Sequence, residues 1–186
     1  MRITGWLQPV GLVAGITAAL TLGLALAVGV PPAEALPGVS AATVTVQGGA
    51  LVITVPPDSG NLGTRTNTVT GGGISGTLGQ VQVSDARSAA AGSGWVASVI
   101  ASAFTPPSGP AIPASAVSYT AGTITKVGTA TYTANDPTNL TGVAPAVTAT
   151  GITGDNSATW NPTITVTVPG GMAAGVYSAT ITHSVV

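Results

Sequence analysis

The chain has 186 residues and a formal net charge of −1, with only 4 Lys or Arg, 5 Asp or Glu, 1 His and no Cys beside 26 Gly and 14 Pro. So few cations cannot cluster to displace counterions from phosphates, which excludes a nucleic-acid partner. The side chains that move protons or hold metals are almost missing, so no catalytic residue, metal site or cofactor is expected, and binding or structure is favoured over catalysis.

The N-terminus reads as an export signal. Arg2 is the only charge before an uncharged run from Val10 to Val30, Pro31-Pro32 break that run, and Ala33-Glu34-Ala35 carries the small-x-small pattern of a signal-peptidase site. Cleavage is expected after Ala35, leaving 36–186 as one mature domain. The alternative is an uncleaved anchor, because the run reaches the length of about 20 residues that spans a bilayer; membrane contact is expected only through this segment. In both cases Arg2 holds the N-terminus inside and the domain outside. No Cys follows the run to take a lipid, and no sorting tail or second span is expected after Val186. The expected location is secreted, extracellular and associated with the cell wall.

The mature part holds Asp58, Arg65, Asp85, Arg87, Lys126, Asp136 and Asp155 as its charged side chains. Disulfides, on which many small secreted domains depend, are excluded. A chain of this size still buries roughly 68–70% of its unfolded surface, enough for one unaided core.

Period-two alternation dominates the mature chain. Thr43 to Val46 and Leu51 to Val55 read as a hairpin closed by Gln47-Gly48-Gly49. Gly71 to Gly76 formally matches G-x-G-x-x-G, but it lacks the preceding strand and following helix of a dinucleotide site and reads as a flexible loop. Thr77 to Val83 continues the alternation as a strand. Ser88 to Gly94 reads as a flexible connection, and Trp95 to Phe104 as a strand whose mixed pattern implies two covered faces or a bulge. Thr105 to Pro113 is a Pro-fixed extended loop. Thr163 to Val168 is the clearest strand, and the turn Pro169-Gly170-Gly171 leads to a last one over Val176 to Val185. Thr and Val suit a pleated, half-buried surface, and no stretch reads as an amphipathic helix. About seven to nine short strands with frequent turns predict an all-β, single-domain antiparallel β-sandwich.

Few residues can carry chemistry. His183 is the lone His, and zinc sites need several N or S ligands. No G-x-S-x-G elbow surrounds any Ser. Asp58, Asp136 and Asp155 sit in turn-like stretches where Asp stabilises the turn. Asp85 and Arg87 lie two apart on a strand and so share a face; they form either a structural ion pair or a polar clamp on a ligand. Trp95, Trp160, Tyr119, Tyr132, Tyr177 and Phe104 are the aromatics after the signal. They either anchor the core or offer a flat platform to a sugar ring, Trp95 being the foremost core candidate.

Taken in order, the segments resemble the WxL domain of surface proteins from Gram-positive bacteria. Leu78 to Arg87 resembles the family's strand ending in D-x-R, Gly94-Trp95 and the strand to Phe104-Thr105 its first Trp motif, and Ala158-Thr159-Trp160-Asn161-Pro162 with Val166 to Pro169 its later strand pair. Ala174 to Val185 resembles the closing Y-x-x-x-L-T-W-x-L segment. The first motif here reads Trp95-Val96-Ala97, and His183 and Val185 stand where the family has Trp and Leu, so the likeness is to a divergent member. The resemblance implies non-covalent attachment to the wall through peptidoglycan, beside other surface proteins, with Trp95 carried over and His183 not.

The expected function is therefore an exported, non-catalytic protein that binds peptidoglycan or another wall glycan. The candidate ligand-binding residues are Asp85, Arg87, Trp95, Trp160 and Tyr177. The alternative is a structural or adhesive subunit that assembles with other surface proteins through strand edges. A glycosidase would need a second acid opposite Asp85 in a cleft.

Overall fold

A computed structural model describes residues 43–186, so the signal segment 1–35 and its cleavage site lie outside the described residues. Eight strands follow one another: β1 (Leu51–Thr54), β2 (Gly72–Thr77), β3 (Val81–Ala101), β4 (Val117–Thr120), β5 (Thr125–Ala134), β6 (Ala144–Trp160), β7 (Thr163–Val168) and β8 (Ile181–Val185). Among the described residues the only helical element is the short 3-10 turn Ala114–Ala116. The strands form two antiparallel sheets, one ordered β1-β3-β6-β5 with β8 also on β3, the other β2-β7-β4. They pack face to face over a shared core, which makes the all-β sandwich expected from alternation.

The core follows from the alternation itself. Val81 and Val83 on β3, Val117 and Tyr119 on β4, and Ile164 and Val166 on β7 all point inward and are buried. Burying a Val or Ile side chain in this way contributes roughly 1.5–3 kcal/mol relative to exposure. The polar residues between them face out, and β7 keeps the predicted bounds Thr163–Val168.

Several local expectations fail, most of them because a distant partner takes the segment. Thr43 to Val46 forms no strand. Instead the Gly49 amide donates to the Ala86 carbonyl, and the Ala86 amide to that of Ala50, so Gly49 and Ala50 extend the pairing of β1 with β3. The expected strand Thr77 to Val83 is divided between sheets: Thr77 ends β2, and Val81 begins β3. The switch is made at Gly79, whose φ of +90 suits Gly and whose missing side chain leaves room for Pro56. Gly72 to Gly76, expected to be a loop, is a strand held along β7. The closing strand is shorter than expected and begins at Ile181, Ser178 making only an isolated bridge to Thr105.

The expected flexible connection Ser88 to Gly94 belongs to β3 and remains paired with β6 through Ala89↔Gly154 and Ser93↔Ile152. It does not run straight. Ten residues of regular strand would separate Asp85 from Trp95 by roughly 33 Å, yet both side chains hydrogen-bond to Asn156. The intervening segment is therefore thrown out of the strand line as a paired excursion. Positive φ at Ser88 and Gly92, answered by Gly151 and Gly154 on β6, and register shifts between Asp85 and Trp95 mark its corners. Since β6 occupies one edge of β3, β1 and β8 share the other. The excursion removes enough length for these two strands to touch.

Candidate functional site

Asp85, the last inward-facing residue of β3 before the excursion, is 1% exposed. Arg87 grips its carboxylate from two nitrogens, Nε to Oδ1 at 2.8 Å and Nη2 to Oδ2 at 2.9 Å, and its backbone amide adds a third bond to Oδ1 at 3.1 Å. Asn156 Nδ2 donates to Oδ2 at 3.3 Å. The Arg87 side chain holds the carboxyl below its usual value despite the opposing effect of burial, and the carboxylate in turn raises the guanidinium. Arg87 Nη2 also reaches the Gly94 carbonyl across the neck of the excursion, 3.3 Å away.

Asn156 ties this ion pair to the aromatic core. Its Oδ1 accepts from the Trp95 indole at 3.0 Å and from the Tyr132 hydroxyl at 3.1 Å, and the two rings lie 5.7 Å apart. Asp85, Arg87 and Trp95 are thus brought together, as a pin across the base of the excursion. Farther out, Asp155 accepts from the Ser88 amide at 3.0 Å, so it braces the excursion rather than forming a simple turn. Asp58 does cap a turn, accepting from the Gly60 amide.

A second buried group lies between the sheets. The Trp160 indole donates to the Tyr119 hydroxyl at 2.7 Å, and His183 Nε2 stands 3.3 Å from the same oxygen. Burial raises the Tyr119 phenol and lowers the His183 imidazole to about 4, leaving the ring neutral near pH 7. Both Trp95 and Trp160 are 2% exposed, so neither can serve as a sugar platform; their area is spent on the core.

Tyr177 is the remaining candidate. It is half-buried and sits away from Asp85, on the rim of a cleft of about 960 Å³ that opens between the sheets. Its hydroxyl donates to the Ala173 carbonyl at 2.9 Å. The cleft is walled by 55–67 and 172–181, and Asn67 bonds the Met172 carbonyl to join the two walls. Among the described residues Asp58 is the only carboxylate in its lining. Among the described residues no group of His, Cys, Asp or Glu is placed to hold a metal ion.

The outer face of the smaller sheet was not singled out from the sequence. Register places Thr77, Thr163 and Thr120 in one row across β2, β7 and β4, and Ser75, Thr165 and Ser118 in the next. Gly73 and Thr167 complete the face. It holds only Ser, Thr and Gly, carries no charge, and repeats at roughly 4.8 Å across strands. Ser75 and Thr165 share a hydrogen bond of 2.8 Å. Thr163, Thr165 and Thr167 are legible as alternating residues, but their neighbours in the rows come from segments far apart in the chain. No family model and no curated protein matches the chain.

Proposed function

We propose that this protein is an exported, non-catalytic surface protein, a divergent relative of WxL domains, retained without a covalent bond on peptidoglycan or another wall glycan. The observation that carries this reading is the Ser/Thr face of the smaller sheet. Hydroxyls both donate and accept, as sugar hydroxyls do, and the methyls of Thr offer apolar contact to a sugar's C–H face. With Trp95 and Trp160 buried, Tyr177 is the one proposed aromatic left near a surface. The Asp85–Arg87 pair acts as a brace, and a single acid among the described residues of the cleft favours binding over the two-carboxylate chemistry of glycosidases.

The test is retention of the purified protein on protein-free sacculi across a salt series. Retention that survives salt, and that falls at least tenfold in Thr163→Glu/Thr165→Glu, supports the reading. Equal retention of the double variant sinks the assignment of this face.

One observation favours assembly with other surface proteins as the second reading. Val44 and Val46 are 90% and 85% exposed in a segment that alternates like a strand, and no strand pairs with it among the described residues. Such a segment can add to a partner's sheet edge. Retention on untreated walls but not on clean sacculi would move the function there.

A further inference from the structure

The cleft between the sheets has a chemistry unlike the hydroxyl face. Its floor is formed by core residues, among them Leu78, Phe104, Ile112, Val166 and Met172, and its volume of about 960 Å³ falls within the range of small-molecule sites. His183 also lines it and is neutral near pH 7, so it adds no charge to the lining.

Among the described residues the wall of the cleft supplies one cation, Arg65. A side chain at Gly72 would collide with the Arg65 guanidinium, which lies directly against that glycine, and Nη2 donates to the Gly71 carbonyl at 2.5 Å. The glycines at the start of β2 thus seat the guanidinium. Among the described residues only this one of its five N–H donors finds a protein acceptor, and no carboxylate pairs with it. Asp58, the carboxylate in the lining, accepts from the Gly60 amide and forms no ion pair with Arg65 among the described residues.

We propose that the cleft binds a free single-chain amphiphile with a carboxylate head, its apolar chain lying along the floor and its carboxylate paired with Arg65. An apolar interior receives the chain as it would a core side chain. The seated guanidinium offers parallel donors that match a carboxylate. A concave site between two sheets takes one chain at a time, unlike a bilayer surface.

The experiment is titration of the full chain with dodecanoate and with dodecanol, followed by calorimetry. The wild-type protein is expected to bind dodecanoate one to one and at least tenfold more tightly than the alcohol. Arg65→Gln, at an exposed position, is expected to bring the two affinities together. Ala179→Trp fills the cleft from a half-buried lining position and is expected to abolish both. Equal binding of acid and alcohol by the wild type overturns the proposal. So does an unchanged preference in Arg65→Gln, or binding that Ala179→Trp leaves intact, which would place the ligand elsewhere on the chain. Arg65→Gln leaves the Ser/Thr face untouched, so failure here is separate from failure on sacculi.

Discussion

Trp95 and Trp160 are equally buried, and each donates its indole N–H to a buried oxygen, but their surroundings differ in kind. Trp95 joins a network that ends in an ion pair and closes the neck of the excursion in β3. Trp160 joins a neutral set, Tyr119 and His183, that spans the space between the sheets. The first arrangement depends on having every partner in place; the second depends on the imidazole remaining uncharged. A buried polar group is tolerated in either way, but the conditions that break each differ.

The largest effect is expected at the hub of the charged network. Asn156→Ala removes the acceptor of the Trp95 indole, one of two acceptors of the Tyr132 hydroxyl (the other is the Ser157 carbonyl) and one bond to Asp85. With one buried donor orphaned at roughly 1–3 kcal/mol and two further groups each losing one of several partners at about 0.5–1.5 kcal/mol, the loss should be about 3 kcal/mol in urea unfolding. A loss below about 1 kcal/mol would mean that the aromatic pair and the ion pair are held independently.

Acid should break the neutral cluster first. His183 titrates at about 4 when folded against 6.5 in the unfolded chain. Between those values the unfolded state binds the proton and the folded state does not, so stability is fully present above pH 6.5 and is lost as pH falls toward 4. The contribution is at most about 3 kcal/mol, reduced by the solvent that reaches the ring. His183→Phe should flatten thermal stability across that window; an unchanged slope would assign the effect to another group. Asp85 has the same sign in a lower window: its stabilisation is present above its unfolded value of 3.8 and is lost as pH falls through the lowered folded value.

Arg87→Ala should cost less than Asn156→Ala, about 2 kcal/mol, although it strands a buried carboxylate. The Arg87 side chain is 38% exposed, so water can partly replace it. Arg87→Lys should recover only part of the loss in the same unfolding experiment, because an ammonium cannot reproduce the two-nitrogen grip. Full recovery would show that charge alone holds the neck.

The Asp85–Arg87 pair was legible because the side-chain period of a strand puts residues two apart on one face. Asn156 carried a weaker version of the same signal: it shares a face with Ala158 and Trp160, which alternation assigns to the core. Its place in Gly154-Asp155-Asn156 hides that signal under turn chemistry. Ser88 to Gly94 misled in the same way, because Ser and Gly composition describes a loop equally well whether it hangs free or lies against a partner strand.

By itself the sequence determined the all-β class, the inward and outward faces of β7, the small number of charged side chains and the scarcity of groups able to do chemistry. These follow from composition and from a period of two, both local properties. Only the tertiary structure decided that Thr77 and Val81 belong to different sheets, that Asp85 and Trp95 meet at one asparagine, and that hydroxyls from β2, β7 and β4 align in rows. Each depends on register between distant segments, which is set by the summed fit of core side chains and ladder hydrogen bonds, and no single segment contains that information.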